Sequence, residues 1–226
     1  MESKDFAVFI LSHGRADTIS TYRALRDGGY TGRTFVVIDN EDDQEDLYRQ
    51  KFGDDIIQFD KRDYLEKTDL GDLDTDRRIG VFARNFIQDE AKRLGYKFHL
   101  QLDDDVHGFG YRFVQDGRLW CVKCNHLDEV LEGMVQMMKE SPITSLSFGL
   151  SSYYLGGAEN SNVQEGMIRK TMTTFLMRAD DLQYFHIVLS FLCEGFGYGN
   201  HRISDSSRNQ LEQRRSETSF RKVVQA

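Results

Sequence analysis

Residues Phe98–Val106 read Phe-His-Leu-Gln-Leu-Asp-Asp-Asp-Val, a mostly apolar, alternating run that ends abruptly in three carboxylates. Read as a strand, it delivers Asp103, Asp104 and Asp105 to the carboxyl end of a sheet, where open α/β sheets bind ligands. Alternation places Asp103 and Asp105 on one side and Asp104 on the other. Two hard oxygen donors on one side suit Mg²⁺ or Mn²⁺, and such an ion in turn suits a diphosphate. Three adjacent negative charges repel one another, so the pattern calls for a compensating cation. The alternative is a solvated acidic turn.

Upstream, Phe6–Leu11 is a short apolar run of the kind that forms a fully buried strand. Ser12-His13-Gly14-Arg15 follows as a turn with a small residue, a donor-rich backbone and a cation. Asp17 is placed to cap a helix over Thr18–Arg26, which Gly28-Gly29 stops. Thr34–Ile38 is a β-branched run ending at Asp39-Asn40. Strand, helix, strand is the pattern of a parallel sheet. Arg15 and Asp39 then stand after two sheet strands, the cation suited to phosphate and the carboxylate to a base or ribose. Solvated strand ends are the plainer reading of both.

Glu41–Phe52 reads as an exposed acidic helix closed by Gly53, and Ile56–Phe59 as a short third strand. Lys61–Arg78 lacks a period and reads as a long loop, either a lid or a surface excursion. Ile79–Leu94 carries the best helical pattern, with Ile79, Phe82, Ala83, Phe86, Ile87, Ala91 and Leu94 on one stripe. Cations near its start (Arg77, Arg78 and Arg84) are unfavourable for the helix dipole unless an anion binds there. That makes Arg77 and Arg78 candidates for phosphate contact. Pairing with the preceding Asp run is the alternative.

Downstream of the acidic triplet, Phe109–Val114 and Arg118–Val122 flank Asp116-Gly117, a hairpin turn signal. Leu127–Met138 reads as a second amphipathic helix, Ser145–Leu150 and Met167–Met177 as strands, and Asp180-Asp181 as the start of a helix that includes Phe185–Phe191. Beyond Glu194 the chain becomes Gly-, Ser-, Arg- and Gln-rich. One domain over residues 1–200 and a polar, basic tail over 201–226, with the composition of a partly disordered segment, are expected.

The totals fit that organisation. The chain has 226 residues, with 39% apolar and 29% charged. No stretch approaches the roughly 20 apolar residues of a membrane span. Glu2, Lys4 and Asp5 interrupt any early apolar segment, so a cytoplasmic protein without a membrane partner is expected. The net charge of −8 does not favour nucleic acid through bulk electrostatics. Acid concentrates in residues 39–76, while the segment from Arg202 onward is basic, so a local basic face stays open as a docking surface. Of three cysteines, Cys121 and Cys124 form a Cys-x-x-Cys pair followed by His126, but only Cys193 remains as a further thiol. Ordinary thiols fit better than a structural zinc.

The ordered set formed by Ser12-His13-Gly14-Arg15 after one strand, Asp39 after another, Ala83-Arg84-Asn85 on a helix and Asp103-Asp104-Asp105 after a third strand resembles GT-A glycosyltransferases with their Asp-x-Asp metal motif. More narrowly, it resembles the phage enzymes associated with TET-type dioxygenases, over roughly residues 6–181. The resemblance implies an α/β, Rossmann-like, mostly parallel sheet flanked by helices. It implies a UDP-sugar donor, a Mn²⁺ or Mg²⁺ cofactor and, as acceptor, hydroxymethylated pyrimidines in DNA, most directly 5-hydroxymethylcytosine. Carried onto this chain, Asp105 would hold the metal and Asp103 the metal or the ribose. Asp39 would meet the uracil or ribose. Ser12, Arg15, Arg77 and Asp104 would belong to the nucleotide-sugar pocket, and Arg84 would support the diphosphate or the acidic ligands. The usual late acid pair is missing here. Glu194 is the one acid placed to act as general base, and His201 is the candidate third metal ligand. Two other functions fit the same residues. One is a GT-A transferase acting on a glycan, protein or lipid. The other is a non-catalytic nucleotide-binding protein on a degenerate transferase fold.

Overall fold

A computed structural model describes residues 5–68, 80–159, 173–181 and 184. Four strands run parallel through its centre: Phe6–Leu11 (β1), Thr34–Asp39 (β2), Ile56–Phe59 (β3) and Phe98–Asp103 (β4). β2 pairs with both β1 and β3, and β1 pairs with β4 along its whole length, from Phe6 opposite Phe98 to Leu11 opposite Asp103. Every residue of β2 and the first five of β1 and of β4 are buried, as continuous apolar strands covered on both faces should be. Thr174–Arg178 (β8) adds antiparallel to β4, and Ser145–Leu146 (β7) closes the edge, giving the order β3-β2-β1-β4-β8-β7. This is an α/β fold with a mostly parallel six-stranded sheet.

The connections cover both faces of the sheet. Thr21–Asp27 (α1), Glu45–Phe52 (α2) and Leu127–Glu140 (α4) contribute Leu25, Tyr48, Leu127, Leu131 and Met138 to a core with Val8, Ile10, Leu100 and Leu102. Val81–Arg93 (α3) brings Phe82, Ile87 and Ala91 to the opposite face, against Ala7, Phe9 and Val37. Each large apolar side chain sealed this way contributes roughly 2 kcal/mol. The chain leaves β1 toward β2 and later returns to the other side of β1 as β4. The carboxyl ends of β1 and β4 therefore mark the point where strand order reverses, the place where such sheets bind ligands.

Several local expectations change in the folded chain. Asp17 does not cap α1; it pairs with Lys51 at 2.5 Å, and the helix starts at Thr21 after Ser20, whose hydroxyl donates to the Val106 carbonyl. The stripe of α3 is half polar: Arg84, Asn85 and Gln88 are buried beside Phe82 and Ile87, while Leu94 is exposed. The strand expected over Ser145–Leu150 is reduced to Ser145–Leu146, and the described part of the one expected over Met167–Met177 forms a strand, Thr174–Arg178. The loop expected from Lys61 begins with a 3-10 turn over Lys61–Tyr64. The hairpin is formed as expected by Gly110–Gln115 (β5) and Arg118–Lys123 (β6). Asp116 and Gly117 take φ values of 51° and 70° in its turn. The segments 69–79, 160–172, 182–183 and 185–226 lie outside the described residues, and with them Arg77, Arg78, Glu194, His201, the helix expected around Phe185–Phe191 and the tail. No helix among the described residues is long and apolar enough to cross a membrane.

Candidate functional site

Three of the sequence-predicted residues meet at the junction of β1 and β4. Ser12 leaves the end of β1 and donates its hydroxyl to Asp104 at 2.6 Å. Arg15 reaches the other oxygen of the same carboxylate at 3.0 Å. Asp104 is 7% exposed, so both of its oxygens are satisfied inside the protein. Through these two bonds Asp104 clamps the turn after β1 to the end of β4. The backbone of Asp104 completes the clamp: its carbonyl accepts from the Ser20 amide at 3.0 Å, while the Thr21 hydroxyl donates to the Asp103 carbonyl at 2.6 Å.

The Ser-His-Gly-Arg turn is not a free cradle of amides. Gly14 N–H donates to Asp42 at 2.9 Å, Arg15 N–H to the Tyr48 hydroxyl at 2.9 Å and Ala16 N–H to Gln44 at 3.0 Å. With these donors spent internally, the turn offers an incoming phosphate the guanidinium of Arg15 and the ring of His13. The Arg15 side chain is 57% exposed even while it pairs with Asp104. Gly14 adopts φ of 64°, which a side chain would strain.

Asp39 stands at the end of β2, also nearly sealed. Lys61 lies 3.0 Å from its Oδ1, the Glu41 amide donates to the same oxygen at 3.0 Å, and His13 Nδ1 lies 2.7 Å from its Oδ2. The carboxylate thus acts first on its protein neighbours. It holds the buried ammonium of Lys61 and orients the half-exposed imidazole of His13, which is the group facing outward.

Asp103 sits on the opposite face of β4 from Asp104, as alternation requires. Arg84, on α3, donates to its Oδ1 at 2.5 Å, and the guanidinium lies 4.6 Å from the ring of Phe175 on β8. Burial pushes the Asp103 carboxyl up to about 6; Arg84 acts against this, and the neighbouring charges of Asp105 and Asp104 add to it. Burial likewise lowers the Arg84 guanidinium from its ordinary value, with Asp103 acting against that shift. Arg84 is the compensating cation that the acidic triplet called for. Behind the pair, His99 and Gln101 continue the same polar face of β4, the Gln101 amide donating to the Arg84 carbonyl at 3.1 Å. Asp105 is exposed at the rim.

Among the described residues, no group of three His, Cys, Asp or Glu gathers to hold a metal ion. Asp103 and Asp105 are carboxylates at the carboxyl end of β4, and carboxylate oxygen is the donor type that a hard divalent cation takes. Mg²⁺ and Mn²⁺ commonly take one or two protein carboxylates and complete their shell with substrate phosphate and water.

Lys61, His13, Asp42, Tyr48 and Gln44 were not among the candidates read from the sequence. Tyr48 carried a signal in retrospect: with Phe52 it is one of two rings within a strongly charged helical segment, and it is fully buried. Lys61 carried none, since nothing local distinguishes it from the other cations of an Asp-rich loop.

A family model described as TET-Associated Glycosyltransferase matches residues 6–194. No curated protein matches the chain. Among solved structures, a protein described as a nucleotide-diphospho-sugar transferase from Desulfovibrio desulfuricans G20 aligns over 100% of this chain and 80% of its own, with 8% identity and a TM-score of 0.45. A CMP:2-keto-3-deoxy-manno-octonic acid synthetase complexed with CTP aligns over 98% and 90%, with 11% identity and a TM-score of 0.41. A mannose-1-phosphate geranyltransferase from Thermus thermophilus aligns over 86% and 65%, with 15% identity and a TM-score of 0.41.

Proposed function

The chain belongs to the TET-associated glycosyltransferase family, and from that premise we propose that it moves the sugar of a UDP-sugar onto the hydroxymethyl group of 5-hydroxymethylcytosine in DNA. Glycosyl transfer follows from the family; the donor base, the acceptor and the metal are the proposal. The observation that carries it is the Asp103–Arg84 pair at the carboxyl end of β4, on the same sheet edge as the turn bearing His13 and Arg15.

On this reading the residues divide the work by charge. His13, oriented by Asp39, and the exposed part of Arg15 meet the nucleotide and its phosphates. Ser12 and Asp104 hold the turn in register, and Arg77 joins the phosphate contacts. Asp103 and Asp105, with His201, would hold Mn²⁺ or Mg²⁺. When bound, the ion neutralises charge on the departing diphosphate. Arg84 fixes the orientation of Asp103 and limits the repulsion among the three acids. Glu194 takes the proton of the acceptor hydroxyl as its oxygen bonds to the anomeric carbon, while the bond from that carbon to the diphosphate breaks and UDP departs.

The test is transfer of labelled sugar from a panel of UDP-sugars to DNA containing 5-hydroxymethylcytosine, with and without Mn²⁺, beside a glycan panel. Metal-dependent labelling of the DNA is expected. Labelling of glycans alone would move the acceptor to the class that the net charge of −8 favours. Failure of UDP to bind with Mn²⁺ in a calorimetric titration would remove the donor assignment.

A further inference from the structure

The hairpin that follows the acidic triplet has no share in either core. Nearly all of its residues are exposed. Its register pairs Tyr111 with Val122, Phe113 with Trp120 and Gln115 with Arg118, and directly opposed residues share a face. One side of the ribbon therefore presents Tyr111, Phe113, Trp120 and Val122, which are 43–49% exposed. Arg118 stands at its outer end, and no carboxylate lies on that side. A contiguous apolar surface held in water marks an interaction site more often than an accident of folding.

The ribbon is anchored at its root and, on the side away from the rings, by Arg112, which lies 5.1 Å from the centre of the Tyr154 ring. The Cys124 amide donates to the Phe109 carbonyl at 2.9 Å, Phe109 packs on Phe148 with ring centroids 5.1 Å apart, and Cys124 Sγ meets the Tyr111 hydroxyl at 3.5 Å. Six residues per strand give a reach of roughly 20 Å. Its first residue, Gly110, follows Asp105 by only five positions, so whatever lies on the ribbon enters from the edge that carries the carboxylates. The charge also decides the occupant: the ribbon holds three cations, Arg118 on the aromatic side and Arg112 and Lys123 on the other, against the single acid Asp116, within a chain of net charge −8. Flat rings beside cations suit bases joined by phosphates. Aromatic side chains stack on bases of any sequence while Arg or Lys follow the backbone.

We propose that the aromatic side of the β5–β6 ribbon is the surface on which bases of the acceptor nucleic acid stack. This rests on the acceptor being DNA. A base that receives a sugar must leave the duplex stack, and Phe113 and Trp120 supply replacement stacking for the strand it leaves.

Trp120 is the only tryptophan in the chain, so intrinsic fluorescence reports on this ribbon alone. The full chain is titrated with a single-stranded oligonucleotide and with a duplex carrying one 5-hydroxymethylcytosine. Saturable, salt-sensitive quenching is expected, with Phe113→Ala weakening binding about five-fold to a hundred-fold, the range for loss of one stacked base. Trp120→Phe should retain binding of labelled DNA by anisotropy, and Trp120→Ala should lose it. These rings are exposed, so the variants keep the wild-type circular dichroism spectrum. DNA that is glycosylated while Trp120 stays unquenched overturns the ribbon and leaves the acceptor reading in place. Quenching without glycosylation supports the ribbon and removes 5-hydroxymethylcytosine as acceptor. Sedimentation showing self-association that Phe113→Ala abolishes, with no response to DNA, overturns the proposal in favour of an interface between two copies.

Discussion

Lys61 Nζ lies 3.0 Å from Asp39 Oδ1, and both side chains are about 95% removed from solvent. A buried pair of this kind tolerates the loss of both charges better than the loss of one. Lys61→Met is therefore expected to destabilise the fold by about 3–5 kcal/mol, because Asp39 stays buried with only His13 and the Glu41 amide to hold it. Lys61→Met combined with Asp39→Asn should recover part of that loss. Urea denaturation of the two variants gives the coupling; equal losses in both would show that the pair does not act as a unit.

Asp103 and Asp104 are neighbours with opposite assignments, and substitution separates them. Asp103→Asn should remove Mn²⁺-dependent UDP affinity, and it also costs stability because the buried Arg84 guanidinium loses this carboxylate. Asp104→Asn should cost about 1–3 kcal/mol of stability through the lost charge on Arg15, with a smaller effect on metal-dependent binding. Isothermal titration beside thermal unfolding reads both, and the reverse pattern would exchange their roles.

Tyr48 ties α2 to the turn after β1, accepting from the Arg15 amide and bonding Ser12 through one hydroxyl. Tyr48→Phe keeps the ring and strips that oxygen, so a loss of about 1–2 kcal/mol is expected. Amide hydrogen exchange should speed up at Arg15 specifically. Unchanged protection there would mean that the turn is held by Asp42 and Gln44 instead.

His99 is fully buried against Phe9, and its Nδ1 finds no hydrogen-bond partner among the described residues. Burial holds the imidazole at about 3, well below its ordinary value of 6.5. The unfolded chain therefore takes up a proton that the folded chain refuses. The contribution is neutral above about pH 6.5 and becomes progressively destabilising as pH falls toward 3, amounting to roughly 2 kcal/mol between pH 7 and 5. Asp103 titrates in the opposite sense, since a carboxyl raised to about 6 makes the fold gain stability as pH falls from 6 toward the ordinary carboxylate range. The difference between wild type and His99→Gln in urea midpoint, followed over pH 7 to 5, isolates the histidine. A constant difference would show that His99 is not the titrating group.

The central sheet was legible in the chain because its signals are local. Phe6–Leu11, Thr34–Asp39 and Phe98–Asp103 are short apolar runs separated by a helix-length segment or more, and such runs form parallel strands with both faces covered. Alternation alone also separated Asp103 from Asp104. The helix of Arg84 was legible by its period, and the hairpin by Asp116-Gly117. Less legible were β7 and β8, whose places depend on a sheet edge that other strands build.

By itself, then, the order of residues determined a parallel α/β sheet that brings three acids to its carboxyl edge beside a cation-bearing turn. Only the tertiary structure decided which acid is spent on the scaffold. Arg15 lies 89 positions from Asp104 and Arg84 lies 19 from Asp103. Lys61 arrives beneath Asp39 from a loop with no pattern of its own. A carboxylate's role is set by the cation that reaches it and the water it loses, and both depend on contacts between segments distant in the chain.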